Sequence, residues 1–386
     1  MLDVWLESAG ARDNGVSGIM VDEFLWKSAG HYDAWSEALV GLHNSPAFHG
    51  KTFYAWCGDI HEQAVSHPFC KLVTGNNDRF SWEKYLPEED AEAAALTALF
   101  QDFDLPLKQW DALQPGVAKN IVMCLGYLSA PPESLNLNPS VNYLKFLDMQ
   151  MRHLATQPAF FGMAGVMAYS SPYADEEALR YFHALVRHYC IEGNTEPFNT
   201  DAYALEHIVN PDFLDGMNGW DVTAGGKDSI ALGSMEGYSY LQGRYPRTEA
   251  GDQYLSMTRC AEGPNTVSQT IHNLEPGRLY SVKLVIADMG DLHQDQMLAL
   301  DVSVEGAERI DEYSWQTVYA SNYAHEVGPY TRENPAYMNY HRFVFKATAP
   351  TAVLAISDWL SPDEPGGPPG QQIAVNFVEV QPFYAP

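Results

Sequence analysis

Short apolar runs alternate with longer stretches of helical spacing through the first half of the chain. Gly18-Ile19-Met20-Val21-Asp22-Glu23-Phe24, Thr52-Phe53-Tyr54-Ala55-Trp56-Cys57 and Arg79–Tyr85 are the first three runs, and Asn120–Tyr127 and Gly165–Ser170 follow. Each reads as a strand. Tyr32, Trp35, Leu39 and Leu42 recur at helical spacing, Ala91–Trp110 is rich in Ala and Leu, and Asp175-Glu176-Glu177 opens an amphipathic segment. Acids at that N-terminal end suit the helix dipole. Apolar strands separated by helices predict a parallel sheet with crossover helices.

The period changes near Glu206–Asn210. Beyond it come short alternating runs: Val267–Ile271, Leu279–Val285, Leu298–Val304, Arg342–Lys346, Val353–Ile356 and Ile373–Val380. Asn273-Leu274-Glu275-Pro276-Gly277 supplies turn chemistry between two of them. Many short strands with turn signals predict a β-sandwich. The 386 residues therefore divide, on this reading, into an α/β unit over 1–205 and an all-β unit over 206–386.

Composition narrows the partners. Lys and Arg total 22 against 50 Asp and Glu, a formal charge of −28. Such a surface repels nucleic acid and anionic membranes, both polyanions, and no apolar run approaches the length of a membrane helix. Neutral ligands such as carbohydrates remain open. Cys57, Cys70, Cys124, Cys190 and Cys260 are odd in number and form no Cys-x-x-Cys pair. The opening Met1-Leu2-Asp3-Val4-Trp5 does not read as a secretory signal. His61-Glu62-Gln63-Ala64-Val65 lacks the second histidine of a zinc-protease helix, and neither a dinucleotide fingerprint nor a P-loop is found.

Two resemblances follow. The stretch from Asn210-Pro211-Asp212-Phe213 and Gly219-Trp220, through Leu274–Tyr280, to Val375-Asn376-Phe377-Val378-Glu379-Val380 resembles the galactose-binding-like jelly rolls of carbohydrate-binding modules. The first half resembles the later strands, four to eight, of a (β/α)8 glycoside hydrolase barrel of the large retaining clan. About three N-terminal βα units are absent on this reading, which fits a truncated product, a natural fragment or an incomplete barrel. The resemblance implies a partial TIM-type barrel followed by a jelly roll, acting on a polysaccharide or oligosaccharide. A non-catalytic carbohydrate-binding or scaffold protein is the alternative. An extracellular or periplasmic setting would suit either function.

Glycoside hydrolysis needs two carboxyls flanking the scissile bond, and in a barrel they stand at C-terminal strand ends. Glu23 and Glu83 are the candidates for acid/base and partner, with Asp22 as a third. Glu23 shares strand parity with Ile19 and Val21, and Asp22 points the opposite way; which parity faces the interior is open. Tyr54, Trp56, Trp82, Tyr85, Tyr127 and Tyr169 lie in or just after strands, where aromatic faces could stack on sugar rings. No cofactor is expected for catalysis. The jelly-roll resemblance implies a structural calcium, for which Asp212 and Glu379 could supply carboxylates; Asn376 stands where such modules often carry Asp. A partial barrel has two open edges, which predicts closure by a second copy, a homodimer in the simplest case, by a separate polypeptide or by the sandwich. Met1–Ser17 folded across the gap is the alternative.

Overall fold

The computed structural model describes residues 1–24, 27–169, 171–245, 248, 250–322 and 324–385. Its first unit is a five-stranded parallel sheet, a half-barrel, in chain order: β1 (Gly18–Val21), β2 (Thr52–Cys57), β3 (Arg79–Lys84), β4 (Ile121–Gly126) and, after a small β5–β6 hairpin (Ser129–Ala130, Glu133–Ser134), β7 (Gly165–Tyr169). Two short helices, α1 (Leu2–Glu7) and α2 (Ala9–Arg12), precede β1. The crossovers carry α3 (Ala29–His43), α4 (His67–Gly75), α5 (Glu92–Leu99), α6 (Leu105–Leu113) and α7 (Tyr143–Thr156), and α8 (Glu176–Leu185) follows β7. A π turn over Phe100–Asp104 joins α5 to α6 into one bent rod.

Strand alternation sets the layers. In β2, Phe53, Ala55 and Cys57 are buried, whereas Tyr54 and Trp56 are half-buried. One face is thus sealed by helices and the other is open. Phe24 shows the sealed side, packing on Trp35 at 4.6 Å and on Phe69 at 5.1 Å. The N-terminal segment does not close the open face: Trp5 of α1 packs on Phe53 at 5.1 Å, on the helix side.

The second unit holds two antiparallel sheets. One runs β14 (Ala307–Arg309), β16 (Tyr337–Ala347), β12 (Leu279–Asp288), β18 (Gln372–Pro382), β10 (Gln253–Thr258), β9 (Ile230–Ser234), with β15 (Trp315–Ala320) also paired to β16. The other runs β13 (Asp301–Glu305), β17 (Ala352–Ser357), β11 (Thr266–Ile271), β8 (Asp221–Thr223). Tyr280, Val282, Leu284 and Ile286 of β12 and Val375, Val378 and Val380 of β18 meet Val267, Leu354 and Ile356 of the facing sheet. The core of the first unit reaches Tyr203 and that of the second begins at Ile208.

β12 and β18 are buried along almost their whole length, not on alternate residues. Their outer face is covered in part by the half-barrel unit and in part by Tyr238 and Leu241 of the second unit itself. There Lys283 lies 3.6 Å from Asp175 and 3.9 Å from Glu177, both at the start of α8, and 3.4 Å from Glu379 on β18. Arg342 adds a contact to Asp175 at 3.5 Å. Asp175 also caps α8 by accepting from Ala178 N–H at 2.9 Å. Burial alone would raise Asp175, but Lys283 and Arg342 bring it below the usual carboxylate range. Glu177 is pushed up to about 7, chiefly by burial.

Candidate functional site

Register identifies the side chains that share the open face of the half-barrel. Met20 pairs with Tyr54, Trp56 with Ser81, Glu83 with Cys124, and Gly126 with Tyr169. Because adjacent in-register residues point the same way, Tyr54, Trp56, Glu83, Cys124 and Tyr169 all lie on that face. Glu83 is half-buried near the C-terminal end of β3, and its Oε2 accepts from the Trp56 indole N–H at 2.8 Å. Tyr169 meets Trp56 edge-on at 6.0 Å and stacks on Tyr85 at 5.0 Å. A carboxylate thus sits beside three aromatic rings at the C-terminal end of the sheet.

The end of β1 resolves the parity question. Ile19 is buried on the helix side, so a continued strand would carry Val21 and Glu23 there and Asp22 to the open face. The strand is interrupted instead. Glu23 takes φ 65°, Asp22 Oδ1 accepts from Glu23 N–H at 2.8 Å, and Phe24 N–H rejoins the ladder on Trp56 O at 3.2 Å. That kink returns Phe24 to the core and leaves both carboxylates exposed. The Cys124 thiol, buried on the open face, is pushed up to about 12, chiefly by burial and further by the charges of Glu83 and Asp22, while a Tyr85 hydrogen bond opposes.

Two expected ligand-facing aromatics belong elsewhere. Trp82 is fully buried on the helix side, where its indole donates to Asp59 at 3.0 Å and its ring meets Trp110 at 5.8 Å. It sits one position before Glu83, and strand alternation turns it away. Tyr127 is buried as well, stacked on Phe182 of α8 at 4.9 Å. Cys124 was not among the sequence candidates. The alternation of Ile121 and Met123 with Val122 and Cys124 was its available signal, but β4 is apolar on both parities.

Asp212 and Glu379, the carboxylates considered for calcium, do not share a site. Asp212 is clamped by Arg244 through bonds of 2.6 and 2.7 Å, and Glu379 is held by Lys283 and by Asn136 at 2.8 Å. Among the described residues, no group of three or more His, Cys, Asp or Glu side chains could hold a metal. No helix among them is long and apolar enough to cross a membrane.

No family model matches the chain, and no curated protein matches it. Solved structures similar to parts of it include carbohydrate-binding modules and glycoside hydrolases, at low identity. The GH51 arabinofuranosidase from Xanthomonas axonopodis pv. citri is 10% identical over 86% of this chain and 62% of its own, with a TM-score of 0.28. TmCBM61 in complex with β-1,4-galactotriose is 12% identical over 46% of this chain and 97% of its own, at TM-score 0.24. The enzymatically active domain of bacteriophage CBA120 tailspike protein 4 is 12% identical over 46% of this chain, with a TM-score of 0.28, and the chain spans only 21% of it. Likeness of this degree names no family and assigns no residue.

Proposed function

We propose that the chain is a carbohydrate-active protein, a partial (β/α)8 barrel fused to a jelly-roll sandwich, whose open half-barrel face hydrolyses a glycosidic bond. The observation that carries this reading is the Glu83 carboxylate, held by the Trp56 indole at 2.8 Å and set beside the Tyr85–Tyr169 stack. Aromatic faces bind the apolar faces of pyranose rings, and a positioned carboxyl can protonate the leaving oxygen or act on the anomeric centre. The second carboxyl comes from the end of β1. Asp22 is favoured over Glu23, because it follows Val21 at the open-face parity of β1, before the kink at Glu23. In this scheme one carboxyl gives its proton to the departing sugar oxygen while the other, ionised, serves as nucleophile or activates water. Trp56 fixes the orientation of Glu83.

The test is hydrolysis of a panel of polysaccharides by wild type and by Glu83→Gln, Asp22→Asn and Glu23→Gln. Loss of a general acid or base costs about 10²–10⁴-fold. Glu83→Gln and Asp22→Asn should fall in that range, with Glu23→Gln close to wild type. Absence of hydrolysis on every substrate would sink the enzymatic reading.

A non-catalytic binder is the second reading, favoured by a separate feature. A cavity of about 380 Å³ on the sandwich is lined by Asp301, Arg309, Trp315, Gln316 and His341. The His341 ring is buried, its Nε2 has no hydrogen-bond partner among the described residues, and Trp315 is half-exposed. An aromatic face among polar groups is also sugar-binding chemistry. Glycan retention lost in Trp315→Ala but kept in Trp56→Ala would favour this reading.

A further inference from the structure

We infer that Arg244 is a built-in cation, standing where a divalent metal would otherwise tie the second unit together, and that its removal opens a latent cation site. The guanidinium lies almost wholly buried, at 1% exposure. Nη1 donates to Asp212 Oδ2 at 2.6 Å, to the Leu137 carbonyl at 3.1 Å and to the Ala250 carbonyl at 3.2 Å. Nη2 donates to Asp212 Oδ1 at 2.7 Å, to Gln242 Oε1 at 3.1 Å and to Asn376 Oδ1 at 2.6 Å.

These are six oxygens from five separate places in the chain: a bidentate carboxylate, two side-chain amides and two backbone carbonyls. Hard divalent cations such as calcium take six to eight oxygens of these kinds. A planar, permanently charged fork satisfies the same oxygens through directed hydrogen bonds. With the fork in place no metal fits, since its donors are taken and Arg244 already neutralises Asp212. The neighbourhood is shaped to this side chain. Gly251 has φ +90°, and a Cβ there would come within 2.4 Å of Arg244 Cζ. The Phe377 ring covers the guanidinium at 4.7 Å.

The cross-link also reaches beyond the second unit. Leu137 belongs to the connection after β4, whereas Asp212 and Asn376 lie near the entry to and in the closing strand of the sandwich. One charged group therefore pins the junction.

Thermal unfolding tests the inference. The wild-type midpoint should be the same with millimolar calcium as with chelator. Arg244→Ala should melt several degrees lower, leaving Asp212 buried and unpaired, and should regain several degrees on adding millimolar calcium or guanidinium chloride, against sodium chloride as the ionic control. If Arg244→Ala does not fold alone, refolding it with millimolar calcium or guanidinium chloride supplies the reading: protein that melts cooperatively should be recovered with either cation and not with sodium chloride. A wild type destabilised by chelator would overturn the built-in cation. An Arg244→Ala protein that folds but responds to neither added cation, or that neither cation brings to fold, would overturn the latent site.

Discussion

Trp56 and Trp82 are the same residue type on neighbouring strands, and they do opposite things. Trp56 lies half-buried on the open face with its N–H on Glu83; Trp82 is sealed beneath the helices with its N–H on Asp59. Their substitutions should separate accordingly. Trp82→Ala removes a fully packed ring and should cost about 3–5 kcal/mol in urea unfolding. Trp56→Ala should cost much less stability and weaken retention on a glycan affinity column; the reverse order would mean that the open face has been misassigned. Glu83 stands one residue from Trp82, so a single step along β3 divides a core position from one on the open face. Composition cannot make that division, because both residue types suit either side.

At the level of elements, the five parallel strands were legible as apolar runs bounded by turns. Which parity faced outward was not legible, because β4 carries apolar residues at both parities and β1 ends in two adjacent acids. The side taken by Tyr127, just past β4, is illegible in the sequence for this reason. β12 and β18 posed a related difficulty: polar Lys283 and Glu379 interrupt apolar runs, which suggests a wet face, yet both are buried beneath α8. Burial of this kind has a pH signature. The Glu177 carboxyl ordinarily loses its proton near 4.5 but in the fold is pushed up to about 7. Between those values the folded state holds a proton that the unfolded state has released, so this group's contribution falls as pH rises. Asp175, held low, acts in the opposite sense: its contribution is present above its unfolded value and is lost as pH falls through the depressed folded one. Urea unfolding across this window should show wild type losing up to about 3 kcal/mol relative to Glu177→Gln as pH rises. Parallel profiles for the two proteins would refute the assignment.

For the whole molecule, the half-barrel leaves the outer edges of β1 and β7 without a strand neighbour among the described residues, and Met20 is 45% exposed on its open face. Edges and apolar faces of this kind attract partners, while a formal charge of −28 repels a second copy. The expected outcome of sedimentation at micromolar concentration is a two-copy species favoured by added salt, which screens that repulsion; a 43.0 kDa monomer at every salt concentration would exclude it. The strands β12 and β18 carry a different consequence. They are a party wall, with one house on each side. Cut at residue 205, the sandwich would present Lys283 and Glu379 to water, and the half-barrel would lose what covers the start of α8. The two units should therefore melt together, and a scanning calorimeter should record one transition where a tethered module would give two.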